Sequence, residues 1–111
     1  MSYIPARGDI AWITIDLQAG HEKWGRRPVL IVSPAAYNEK VGLALCCPIA
    51  SQVKGYPFEV NIPQELPVEG VVLTDQVKSF DWKAREVTLI CQVPGEAMDE
   101  VLQKLATLLL Q

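Results

Sequence analysis

Two guanidinium groups, Arg26 and Arg27, stand directly before the apolar run Val29–Ser33. Pro28 fixes its own φ and biases Arg27 to extended geometry, so the second arginine enters a strand as a planar, permanently charged group. Such a group suits a phosphate or a carboxylate, which it can hold through parallel N–H bonds. The plainer reading of both arginines is solvated charge at a strand end. A second cluster follows in Ser51–Pro57, SQVKGYP, with Lys54, Gly55 and Tyr56. A third lies in Val71–Phe80, where Thr74, Gln76 and Lys78 alternate. Lys54 adds charge, Tyr56 and Trp24 offer faces on which bases stack, and Gln76 and Lys78 can line the same groove. Antiparallel pairing sets the start of one strand beside the end of its neighbour, so Arg27 is expected near Ala50 and Ser51. Each residue also has a bland role: Tyr56-Pro57 as a turn platform, Lys54 as solvated loop charge, Trp24 as a docking residue.

Other chemistries are excluded by what the chain lacks. His21 is the only histidine, so a two-histidine acid–base pair cannot be built. Ser, His and Asp occur without a GxSxG-type motif to mark a nucleophile. Cys46, Cys47 and Cys91 are odd in number, have no CxxC spacing and sit in apolar runs, which reads as buried small hydrophobes and not as a disulfide frame or zinc site. No metal and no cofactor are expected. A net charge of −3 argues against a protein that coats DNA. The charge is unevenly spread, however: the first sixty residues carry six Lys/Arg and five Asp/Glu, the remainder four and eight. A basic site on an acidic body fits that distribution. The 111 residues make one domain, spanning 1–111, with no apolar run long enough to cross a bilayer and no basic-then-apolar leader, so a cytoplasmic location is expected.

The elements that must position these residues follow from periodicity. Asp9–Asp16 alternates and reads as a first strand, followed by the polar loop Leu17–Gly25. After the central strand, Ser33 is expected to cap a short helix over Pro34–Val41 that Gly42 stops. Leu43–Ala50 and Phe58–Ile62 read as strands, Val71–Phe80 as one longer strand with Thr74, Gln76 and Lys78 on a shared face, and Glu86–Val93 as the last strand. From Pro94 onward Met98, Val101, Leu102, Leu105, Leu108 and Leu109 fall at helical spacing behind acidic Glu96, Asp99 and Glu100. About six short strands with one terminal helix predict a mainly β fold: a small, curled antiparallel barrel.

Four segments in order, GDIAWITID, GRRPVLIVSPAAYN, KGYPFEV and LTDQVKSFDW, closely resemble the MazF/PemK family of toxin endoribonucleases, and the resemblance covers essentially the whole chain. It implies an SH3-like barrel with a C-terminal helix, a fold also shared with the gyrase poison CcdB. It implies a cytoplasmic homodimer that cleaves single-stranded RNA at short sequences without metal, arresting translation. The implied partner is a MazE-like antitoxin whose acidic, disordered tail occupies the RNA groove. The RNA-binding residues expected are Glu22, Trp24, Arg26, Lys54, Tyr56, Gln76 and Lys78.

In that family an arginine opening the second strand and a threonine ending the third carry the chemistry. The arginine matches Arg27, but the threonine position is Ala50 here. A methyl group donates no hydrogen bond to a phosphate, and losing such a donor costs roughly 10²–10³ in rate. Three explanations stand: a deliberately inactivated chain, a naturally weakened homologue, or Ser51 supplying the hydroxyl. Against the last, adjacent strand residues point to opposite faces. Two non-enzymatic readings compete with the nuclease: a CcdB-like protein that binds gyrase, and a plain SH3-like peptide-binding module.

Overall fold

Val29, Leu30 and Ile31 form the fully buried end of strand β2 (Gly25–Ile31). Burying each such side chain stabilises the fold by roughly 1.5–3 kcal/mol. Continuous burial requires cover on both faces, and the computed structural model, which describes residues 3–15 and 25–110, supplies it. Strand β2 runs antiparallel between β1 (Asp9–Ile15) and β3 (Ala44–Ala50), with Ile10 opposite Leu30, Ile13 opposite Arg27, Val29 opposite Pro48 and Ile31 opposite Cys46. The pleat sends alternate residues to two cores. One face carries Leu30, Cys47 and Ile49, covered by Met98, Val101 and Leu105 of helix α2 (Gly95–Leu109). The other carries Val29, Ile31 and Cys46 against Ile13 and Trp82.

The free edge of β3 is shared by two short partners. Strand β5 (Val71–Leu73) pairs with Ile49 and Ala50, while β6 (Lys78–Phe80) pairs with Ala44 to Cys46. The two pairings are out of step by three residues, the length of the 3₁₀ turn Thr74–Gln76 that separates them. The single strand expected over Val71–Phe80 is therefore broken. The reason is a tertiary contact: Thr74 is fully buried, and its backbone N–H (3.1 Å) and hydroxyl (2.7 Å) both donate to the Phe58 carbonyl. Consequently Thr74, Gln76 and Lys78 do not share a face, since Thr74 points inward and the other two are exposed.

Strands β4 (Glu59–Asn61) and β7 (Thr88–Gln92) complete the sheet, whose order is β4-β5-β3-β2-β1-β7 with β6 beside β3. Among the described residues no pairing joins β4 to β7, so the seven strands curl without closing into a complete barrel. A bulge in the β1–β7 register between Ile10 and Ala11 adds to the curl.

Two helical expectations need amendment. Helix α1 (Ala35–Val41) starts behind Pro34, and Ser33 makes no cap; its buried hydroxyl donates to Asn38 Oδ1 (2.6 Å) and accepts from the Leu45 amide (2.8 Å). That stitches the helix to β3, because a buried Asn38 must be fully partnered. In α2 the apolar stripe buries Met98, Val101 and Leu105, whereas Leu108 and Leu109 at its end are 45% and 73% exposed. No helix is long and apolar enough to cross a membrane among the described residues.

Cys46 and Cys47 are buried free thiols, as expected, while Cys91 is half-buried. Burial pushes both Cys46 and Cys47 from the ordinary 9.0 up to about 12, with the neighbouring Cys47 adding for Cys46 and the Asp75 charge adding for Cys47. The unfolded chain therefore releases these protons first. Stability is intact below about pH 9 and is lost as pH rises toward 12. Urea unfolding of the parent should show a falling alkaline limb that is shallower in the Cys46→Ala/Cys47→Ala protein. Parallel limbs would mean that the thiols are not the cause.

Candidate functional site

The β2–β3 ladder decides which polar residues meet. Carried two residues past Val29 opposite Pro48, its register sets Arg27 level with Ala50. By pleat parity both lie on the Val29/Cys46 face, at the end where the apolar packing stops. Arg26 belongs to the other face. Its Nη1 donates to Thr14 Oγ1 (3.1 Å) and its Nη2 to Thr88 Oγ1 (2.8 Å), which ties it across β1 to β7. The two adjacent arginines are thus separated by the strand and do not form one positive patch.

Beyond Ala50 the chain between β3 and β4 has no regular secondary structure, yet it is held at several points. The carboxylate of Glu59, at the start of β4, accepts from the Lys54 amide (3.1 Å) and the Gly55 amide (2.8 Å). The Tyr56 hydroxyl donates to Asp75 Oδ1 (2.9 Å), and this bond, aided by burial and the Asp75 and Glu59 charges, raises the phenol above its ordinary range. Lys104 of α2 donates to the Pro57 carbonyl and pairs with Glu100 at 3.8 Å. These ties shape a cavity of about 220 Å³ lined by Ala50, Gln52, Lys54, Tyr56, Glu59, Leu73 and Gln76. Lys54 lines that cavity and is itself exposed.

Four residues singled out from sequence, Ala50, Lys54, Tyr56 and Gln76, therefore come together. Arg27 is level with Ala50 along the ladder but is not one of the cavity's lining residues. Ser51 lines a separate cavity of about 680 Å³ with Asn61, Ile62 and Gly70, as its opposite parity requires. Lys78 sits opposite Cys46, towards the far end of β3. Glu22, Trp24 and His21 lie outside the described residues. Sequence reasoning passed over Glu59, Gln52, Leu73 and Asp75. The acid directly after KGYPF was a usable signal, since a carboxylate beginning a strand behind a glycine turn can accept turn amides. Among the described residues no group of three His, Cys, Asp or Glu side chains is gathered closely enough to hold a metal ion.

The comparisons with known proteins agree with one another. Residues 6–109 match the family model described as PemK-like, MazF-like toxin of type II toxin-antitoxin system. The chain is 41% identical over 107 residues to the endoribonuclease toxin MazF of Escherichia coli strain K12, covering 96% of each protein. It is 39% identical to the E. coli endoribonuclease PemK, covering 93% of this chain and 80% of that one. A crystal structure of MazE-MazF from Deinococcus radiodurans superposes with a TM-score of 0.90 at 47% identity, covering 97% of both chains. These relatives do not favour the CcdB-like alternative.

One glycine holds the site's frame. Gly70 has φ +123°, and a Cβ built there would lie 2.0 Å from the Ala50 carbonyl oxygen. Gly70→Ala must therefore strain its own backbone and push the end of β3 away from β5, at a cost of roughly 1–3 kcal/mol. Urea unfolding should report that loss. An unchanged midpoint would show that β3 does not need this close approach.

Proposed function

The chain belongs to the PemK-like, MazF-like toxin family of type II toxin–antitoxin systems, and on that premise we propose that it is an endoribonuclease acting on single-stranded RNA. The observation that supports the site assignment is the β2–β3 register, with Val29 opposite Pro48; continued two residues further, it gives Arg27 and Ala50 the same parity and the same level. An RNA phosphate held there meets a planar guanidinium, and the chain's single histidine does not make a two-histidine acid–base pair. The reaction that needs least from the protein is internal. The ribose 2′-oxygen attacks the adjacent phosphorus, the bond from phosphorus to the 5′-oxygen breaks, and the 2′-hydroxyl proton leaves as the 5′-oxygen gains one. The products are a cyclic phosphate and a free 5′-hydroxyl. Arg27 binds the phosphate and stabilises the charge that builds on its oxygens. Lys54 holds a neighbouring phosphate, and Tyr56 and Gln76 receive bases splayed from the strand. No metal takes part in this scheme.

Ala50 supplies only a methyl group at the phosphate, where family members carry a hydroxyl, and the position of Ser51 on the other cavity argues against its replacing that hydroxyl. The rate is lowered accordingly. The fold is read as a homodimer, because the exposed Leu108, Leu109 and Leu110 leave apolar surface that one small core has not hidden. Its antitoxin partner presents an acidic, unstructured tail, since a groove that holds phosphates along an extended chain also holds carboxylates. The site of action is the cytoplasm, where messenger RNA is found.

Ala50→Thr should raise cleavage of single-stranded RNA by about 10²–10³ in the presence of EDTA, read on a labelled oligonucleotide, with duplex RNA resistant. In that background Arg27→Lys should lose most activity, because lysine keeps the charge without the fork. Arg26→Lys, on the opposite face, should lose far less. An inert Ala50→Thr protein, or equal losses at both arginines, would contradict the assignment.

A further inference from the structure

The segment carrying Lys54 and Tyr56 is irregular, and the geometry points to Glu59 as the residue that positions it; this inference rests on the ribonuclease reading above. Glu59 is 9% exposed and lies at the start of β4, where its backbone N–H also donates to the Tyr56 carbonyl at 3.2 Å. Its two carboxylate oxygens are divided between successive amides, Oε2 taking Lys54 N–H and Oε1 taking Gly55 N–H. Successive amides of this kind, with Gly55 at φ +86°, form a concave nest for an anion. Here the chain fills the nest with its own side chain. Tyr56 to Asp75 and Lys104 to Pro57 are exposed contacts further along the segment. The Glu59 bonds are the part-buried ones, and they act directly on the residue that carries the ammonium group.

Glu59 also lines the same cavity as Ala50, Lys54, Tyr56 and Gln76. An acid in a groove that holds phosphates is unfavourable by simple Coulomb repulsion, so its presence there calls for an offsetting role. Both of its oxygens are engaged by the turn. Two readings of Glu59 thus predict opposite signs. If it is only a nearby negative charge, removing it strengthens RNA binding. If it sets the turn, removing it weakens binding although the repulsion has gone. Glu59→Gln separates the two, because the amide keeps the size but presents an N–H to one of the turn's N–H groups.

The test uses the full chain, in which Ala50 slows cleavage, and a labelled single-stranded RNA oligonucleotide. Binding is measured against salt for the parent, Lys54→Ala, Glu59→Gln and the double variant. Amide exchange at Lys54 and Gly55 is followed alongside. The expected result for Glu59→Gln is about tenfold weaker binding and about tenfold faster exchange at those two amides. Its salt slope should fall by about 0.7, as for loss of one phosphate contact, and adding Lys54→Ala should cost little more because the two act as a unit. Tighter or unchanged binding by Glu59→Gln, or fully additive losses, overturns the positioning role. Amides that stay protected overturn it as well. Failure of the parent chain to bind RNA overturns the ribonuclease reading instead, and amide exchange alone then decides whether Glu59 sets the turn.

Discussion

Everything in this fold depends on the pairing of β2 with β3 and the two-residue period of its pleat. Because Val29 faces Pro48 and Ile31 faces Cys46, the odd residues of β2 and the even residues of β3 share one face. A slip of one residue would exchange the two cores and turn Arg27 away from Ala50. The apolar contacts that prevent that slip are the fully buried Val29, Leu30, Ile31, Cys46 and Cys47. The same packing that stabilises the domain therefore aims the guanidinium. Hydrophobic burial acts here as a register device, and the candidate site lies where the burial ends.

The sheet's other edge solves a different problem. Strand β3 must be partnered along its length, but one straight strand would leave no room for the residues that shape the cavity. The 3₁₀ turn at Thr74–Gln76 breaks the partner into β5 and β6, and it presents Asp75 to the Tyr56 hydroxyl and Gln76 to the cavity. Gly70 lets β5 begin against the Ala50 carbonyl. Backbone irregularities at Thr74–Gln76, Gly70 and Gly55 thus surround the end of a regular ladder. A rigid element ending among turns is a common setting for recognition, because the ladder supplies precision and the turns supply shape.

How much of this was legible in the sequence depends on whether the determinant is local. The strand before Pro34, the stripe of α2 as far as Leu105 and the neighbourhood of Ala50, Lys54, Tyr56 and Gln76 follow from periodicity and from motifs. The break at Thr74 does not, because Thr74, Gln76 and Lys78 have the polarity pattern of a half-buried strand. Only a bond to Phe58, sixteen residues away, makes the difference. Likewise Ser33 has the composition of a helix cap, yet its hydroxyl is taken by Asn38 and Leu45. Arg26 and Arg27 read as a pair in the chain, and it takes the partners Thr14 and Thr88 to show that they work on different faces. Glu59 was missed for a related reason: an acid in a β-propensity run reads as solvent-facing until its acceptors find the turn amides.

The most direct test of the Arg27–Ala50 assignment is an ¹⁵N-resolved NMR titration of this chain with a single-stranded RNA oligonucleotide in EDTA, watching backbone amides and arginine Nε signals. The Arg27 Nε signal and the amides of Ala50, Lys54 and Tyr56 should move together and saturate at one RNA concentration. The Nε signal of Arg26, whose Nη1 and Nη2 are bonded on the other face, should move much less. Shifts confined to the exposed end of α2 or to the Ser51–Gly70 cavity, with Arg27 and Ala50 unmoved, would contradict the account.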